Sequence, residues 1–229
     1  MKTAALFFGV FASFLFFISY STPAAYAADP QLLITWKSAS LAPYDFSGKL
    51  LPAASSPINV SAEVLLGNGR LANLSGETIY WYANDKLVAG GAGVQTAVFQ
   101  APLLPGGTIS VRAQLPGFQG SFLAKTINIS IANPLAIIEA PLPGTTFSGS
   151  EVHLKAHAYY FNVPDSTSLT FAWNINGTPP TSAGDPEVLN ISVDPKAGDG
   201  TPIAVNLKIK NPDILYEAAE AATTLIYRK

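Results

Sequence analysis

From Gln31 onward, apolar and polar residues alternate in short runs. Gly, Pro, Asn or Ser breaks them roughly every 8 to 15 residues, the rhythm of strands joined by turns. The pattern predicts strands over residues 32–36, 58–66, 78–83, 94–101, 108–115 and 122–131 in the first half. In the last of these, Phe122, Ala124 and Thr126 take one side, and Leu123 and Lys125 the other. Asn84-Asp85 closes the third run as a turn pair, and the run 90–93 (GGAG) reads as a flexible hairpin connection. Residues 116–120 (PGFQG) form the expected turn between the last two runs, with Phe118 at its exposed tip. No stretch carries a helical stripe. Residues 214–222 (ILYEAAEAA) are good helix formers but run into the strand signal at 223–227, so they are predicted to belong to a long final strand.

The chain repeats itself. Thr78-Ile79-Tyr80-Trp81 matches Thr170-Phe171-Ala172-Trp173, and each is followed by an Asn-containing turn, Asn84-Asp85 or Asn176-Gly177. Trp81 precedes Pro102 by 21 residues and Trp173 precedes Pro195 by 22. Upstream, the segment 62–66 (AEVLL) echoes 150–154 (SEVHL). The period is about 92 residues, with Asn133-Pro134 as the joint. Six or seven strands with one Trp on an early central strand suit a β-sandwich, where a large aromatic fills the space between sheets ~10 Å apart. Ile79, Trp81, Phe171 and Trp173 are then core residues, and Tyr80 and Tyr82 face outward.

The segments 80–85 (YWYAND) and 171–177 (FAWNING) resemble the strand-to-hairpin signature of tandem immunoglobulin-like or PKD-like modules of bacterial secreted and surface proteins. The resemblance implies an all-β chain of two consecutive Ig-like β-sandwich domains, residues 28–132 and 133–229. It also implies an architectural or adhesive role. The Cys pair that flanks the Trp in antibody domains is missing, since the chain has no Cys.

Residues 1–27 read as a secretory signal peptide. Lys2 supplies the positive start, residues 4–19 an uncharged apolar run, and Ala25-Tyr26-Ala27 the small residues of a cleavage site near Ala27. The run falls short of the ~20 residues needed to span a bilayer, and no second one occurs. The expected mature chain is therefore extracytoplasmic, without a membrane span. With no Cys, it must fold on its core alone.

Thirteen basic and fifteen acidic residues give a net charge of −2, which argues against nucleic acid as a partner. His153 and His157 are four apart, but in an alternating run their attachment points lie ~13 Å apart, too far to chelate one ion. They are expected in an outward row with Lys155 and Tyr159. Asp165, Asp185, Glu187, Asp194 and Asp199 could be imagined around a calcium ion, but their spacing fits no ion loop and turn formation explains each. Nucleophile-elbow, zinc-protease and phosphate-loop motifs are absent from the sequence. Five Asn-x-Ser/Thr triplets begin at Asn59, Asn73, Asn128, Asn176 and Asn190, and read here as Asn- and Ser-rich strands.

These readings predict a non-enzymatic chain without cofactor or metal. Tyr80, Tyr82 and Phe118 are the candidate surface for an unidentified surface protein. The alternative is a glycan-binding module using the two tyrosines.

Overall fold

A computed structural model of the chain describes residues 29–229 except 44, 143, 182 and 183; the signal peptide predicted for residues 1–27 lies outside the described residues. Two core clusters organise it, one drawn from Leu32 to Ile131 and the other from Ala136 to Leu225. Around the first are β1 (Gln31–Ser38), β2 (Pro57–Leu65), β3 (Thr78–Ala83), β4 (Lys86–Ala92), β5 (Thr96–Gln100), β6 (Thr108–Phe118) and β7 (Ser121–Ser130). Around the second are β8 (Leu135–Glu139), β9 (Thr146–Ser148), β10 (Glu151–Tyr159), β11 (Thr170–Ile175), β12 (Val188–Ser192), β13 (Pro202–Lys210) and β14 (Ala218–Arg228). Among the described residues the only helical element is a 3₁₀ turn, Ser166–Ser168, capped by Asp165.

Each cluster lies between two sheets. In the first the orders are β1-β2-β5 and β4-β3-β6-β7; in the second, β12-β10-β8 and β11-β13-β14-β9. Strand pairing is antiparallel except that β9 joins β14 in parallel, so the chain changes sheets between β8 and β9. This is the immunoglobulin-like sandwich, twice over. Strict alternation builds it: Ile58, Val60, Ala62 and Val64 of β2 are buried, while Asn59 and Glu63 are exposed. Val205, Leu207 and Ile209 do the same on β13. The final strand starts at Ala218, so the helix formers before it contribute only their last residues to it.

The two halves reuse the same small devices. Trp81 Nε1 donates to the Val94 carbonyl at 2.9 Å, and Trp173 Nε1 to the Pro186 carbonyl at 2.9 Å, each acceptor 13 residues downstream. Asn84 has φ 45° and Asn176 φ 49°, the left-handed conformation that a tight hairpin turn requires and Asn tolerates. Each Asn then bonds twice to the same neighbour. Asn84 N donates to the Ser110 carbonyl and Asn84 Oδ1 accepts from Ser110 N; Asn176 repeats this with Ala204.

After those turns the halves diverge. Asn84-Asp85 leads into β4, which covers the edge of β3. Asn176-Gly177 is followed by one bridge, Ile175 to Thr178, and then by Pro179-Pro180, which lack the N–H groups a ladder needs. Among the described residues no further strand pairs with the free edge of β11. Trp81 is fully buried, Trp173 is 8% exposed, and Phe171 is only half-buried where Ile79 is fully buried. Phe171, predicted as core, therefore packs on the rim of the second core, between the 3₁₀ turn at Ser166 and the edge of β11, where no further strand pairs among the described residues.

Two further expectations are corrected. Gly90-Gly91 do not form a connection: they lie inside β4, paired with Tyr80 and Ile79. Phe118 is not an exposed tip but a core residue, 2% exposed. Pro116 and Gly117 together face the single residue Phe122, a β-bulge that inverts the alternation, so Leu115 and Phe118 both point inward. The turn itself is Gln119-Gly120, at φ 48° and 79°, and the exposed aromatic is Phe122.

Candidate functional site

The outer face of the sheet β4-β3-β6-β7 carries the tyrosines. β3 is a central strand, so its alternation is held on both sides: Ile79 and Trp81 go into the core, and Tyr80 and Tyr82 out. Tyr80 pairs with Gly90 on one side and Gln114 on the other; Tyr82 pairs with Leu87 and Arg112. Gly90 decides how Tyr80 lies. A Cβ there would come within 2.5 Å of Tyr80 Cδ1, so the ring rests on the glycine backbone while Tyr80 stays 36% exposed. A larger residue would lift it.

Tyr82 is held differently. The Arg112 guanidinium carbon stands 4.7 Å from its ring centroid, a cation–π contact. Arg112 Nη2 also reaches Asp85 Oδ1 at 3.2 Å, which ties the stack to the Asn84-Asp85 turn. Arg112 Nε is buried and has no hydrogen-bond partner among the described residues. The face thus offers one ring open for stacking, Tyr80, beside a second ring capped by a cation, with Gln114 adjacent. Phe118 is not part of it. Phe122, which the regular alternation of β7 places outward, shares this face and is 61% exposed. The clue that could have exposed this swap was Pro116 inside an otherwise regular strand run.

The corresponding face of the second half is built from other residues. Ala172 and Asn174 occupy the tyrosine positions on β11 and pair with Lys208 and Asn206 of β13, which stand where Gln114 and Arg112 stand on β6. Lys208 forms an ion pair with Glu220 of β14. With small residues around them, the surface sinks into a shallow concavity of about 640 Å³.

The histidines fall on the outward side of β10 and go to separate partners. His153 Nδ1 meets Asn190 Oδ1 at 2.6 Å, and His157 Nε2 meets Glu139 Oε2 at 2.5 Å. The acidic residues mostly shape loops. Asp165, Asp185 and Asp194 each accept from the backbone N–H two residues on. Asp199 accepts from Lys229 N and from Arg228, contacts that hold its carboxyl below the usual value and fasten the end of β14. No group of three or more His, Asp or Glu side chains suited to a metal ion occurs among the described residues.

One buried carboxylate gave no sequence signal. Glu217 is fully buried, accepts from Asn162 N at 3.0 Å with both oxygens, and accepts from Asn211 Nδ2 at 2.8 Å. Burial pushes its carboxyl above the usual carboxylate range, against those hydrogen bonds. It joins the loop after β10 to the loop before β14. Its neighbours in sequence are ordinary helix formers, and nothing in their spacing marked it.

No protein-family model and no curated protein matches the chain. Solved structures do match, over most of its length. Fibronectin(III)-like modules of Clostridium thermocellum CbhA are 14% identical, with a TM-score of 0.32, over 86% of this chain and 94% of that one. The tandem Ig repeats of Dlar are 13% identical, with a TM-score of 0.27, over 88% and 99%. The Bacteroides ovatus protein SGBP-B, solved with a mixed-linkage heptasaccharide, is 12% identical, with a TM-score of 0.27, over 88% of this chain and 48% of that one. Likeness this distant adds nothing on ligand or partner, and the sandwich assignment rests on the strand order and register of the chain itself.

Proposed function

We propose that the chain is a non-catalytic interaction protein, secreted across a membrane by its N-terminal leader and displayed or released outside the cytoplasm. In this reading two Ig-like modules, residues 28–132 and 133–229, form the mature protein. The first module presents Tyr80, Tyr82, Arg112 and Gln114 to a partner. The single observation that carries the reading is the asymmetry between the two halves. The sandwich folds with Ala172 and Asn174 at the tyrosine positions of the second module, so the aromatic pair on the first is not a requirement of the fold. Aromatic rings with a neighbouring Arg are the side chains that dominate binding energy at interfaces.

A glycan is the second reading, favoured by the pose of Tyr80. A ring lying along the sheet with a face open is the geometry on which a sugar ring stacks. One experiment addresses both. The purified mature chain and its Tyr80→Ala/Tyr82→Ala variant are tested against a panel of soluble polysaccharides by affinity electrophoresis. Retardation of wild type that the double variant loses supports the glycan reading, and retardation that survives it rejects the tyrosine face. With no retardation, a photo-crosslinker at position 80 is used on cells of the source organism. A single protein adduct supports the protein reading, and absence of any adduct counts against the face altogether.

A further inference from the structure

The described residues of the segment between β1 and β2, 39–43 and 45–56, belong by sequence to the first half but reach across to the second. The base of this excursion is closed by Ser38 Oγ and Ser40 Oγ, which donate to the Leu50 and Leu51 carbonyls at 2.8 and 2.6 Å. Its later part is fixed to the first module: Ser55 N donates to the Pro102 carbonyl, and Ala132 N to the Pro52 carbonyl. Ala53, Ala54 and Ser56 are buried there. The tip goes elsewhere. Leu41 N donates to the Phe161 carbonyl at 2.8 Å and Tyr160 N donates to the Leu41 carbonyl at 2.7 Å. The Leu41 side chain packs against the second core. Phe46 meets Tyr159 and Tyr160 edge-on, with centroids 6.2 and 6.4 Å apart.

The receiving site is itself unusual. Tyr160 has φ 61°, a left-handed conformation rarely adopted by a bulky side chain, which persists only where surroundings over-determine it. Those surroundings are the strap on one side and Glu217 on the other, whose carboxylate holds Asn162 N two residues on. The covalent link is also tethered: Gly106 N donates to the Ile131 carbonyl, and a Cβ at Gly106 would lie 2.9 Å from Asn133 Oδ1.

We infer that the segment around Leu41 and Phe46 is an intramolecular strap that locks the two modules into one rigid unit, with the strained Tyr160 corner as its receptor. Tandem modules joined by a short linker ordinarily move relative to one another unless a substantial interface restrains them. Here the restraint comes from a loop of one module entering the other, so the tyrosine face is carried at a fixed angle to the second module.

The test uses the mature chain, isotopically labelled, in solution. Residual dipolar couplings are measured for the strands of both halves, and amide exchange is followed at Leu41, Tyr160 and Leu154. One alignment tensor is expected to fit both halves, and the Leu41 and Tyr160 amides should exchange at least about tenfold slower than exposed loop amides such as Leu215. In Leu41→Asp/Phe46→Ala the Tyr160 amide should fall to the loop rate and the halves should take separate tensors, with Leu154 still protected. Two tensors in the wild type would overturn the inference without recourse to any variant. So would a Tyr160 amide that stays protected in the variant.

Discussion

Trp81 and Trp173 fill the same place in two copies of one design, so removing each is a controlled comparison of two cores. Trp81→Ala deletes a fully buried indole, its N–H bond to Val94 and its edge contact with Phe99 at 6.2 Å. Large aromatic truncations in cores cost about 3–5 kcal/mol, and an aromatic pair adds about 0.5–1.5 kcal/mol beyond area. With β4 closing the edge, little can collapse into the void, so about 5 kcal/mol is expected. Trp173 loses the same bond to Pro186 but is 8% exposed, beside a concavity of about 350 Å³ along the edge of β11. Water and the neighbouring loop can relax into that space, so about 3 kcal/mol is expected. For a module of roughly 100 residues a difference of 1 kcal/mol shifts the midpoint by about 4–8 °C. Hydrogen exchange read by mass spectrometry along a urea series reports the two halves separately in each variant. The reasoning fails if Trp173→Ala costs as much as Trp81→Ala, or if either variant leaves its own half fully protected.

Two further outcomes follow from single side chains. Glu217 has its folded-state carboxyl raised above the unfolded value of 4.5, so the folded protein holds that proton more tightly. Its contribution to stability is therefore greatest below that value and declines as pH rises through the raised folded value; urea midpoints of the wild type should fall over that window more steeply than those of Glu217→Gln, and parallel pH profiles would contradict the assignment. Phe118→Ala should lower stability by about 3–5 kcal/mol as a core truncation, whereas Phe122→Ala should stay within about 0.5 kcal/mol, and a urea titration giving the reverse order would place the bulge wrongly.

What the amino-acid order revealed, and what it hid, divides along the range of the forces involved. Strands such as β3 were legible because each alternating residue meets a uniform environment, core or water, and the Asn84 and Asn176 turns because their backbone demands a particular residue type. Phe118 was misplaced because the Pro116-Gly117 bulge carries β6 on to Phe118 with its parity shifted, a local event with no periodic signature. Phe171 was misplaced for a non-local reason: it lies between the 3₁₀ turn at Ser166 and the edge of β11, where no further strand pairs among the described residues. Gly90 read as a flexible link because its role, a bed for Tyr80, exists only once β3 and β4 are paired. The strap and Glu217 were the least visible, since both act between segments far apart in the chain: Leu41 with Phe161, and Glu217 with Asn162.

The divergence between the halves also decides whether the tyrosine face can be tested cleanly. A residue kept in both modules by folding cannot be removed without disturbing the scaffold, as with the two indoles. The tyrosine positions are different, because the second module builds the same register with Ala172 and Asn174 against Lys208 and Asn206. Tyr80 loses its packing on Gly90 when truncated, and Tyr82 its contact with Arg112, a cation–π pair worth about 0.5–1 kcal/mol at an exposed site. Neither change opens a cavity between the sheets, since both rings stand outside them. A loss of binding in Tyr80→Ala/Tyr82→Ala would therefore come from the surface the partner touches, with the fold beneath it still in place.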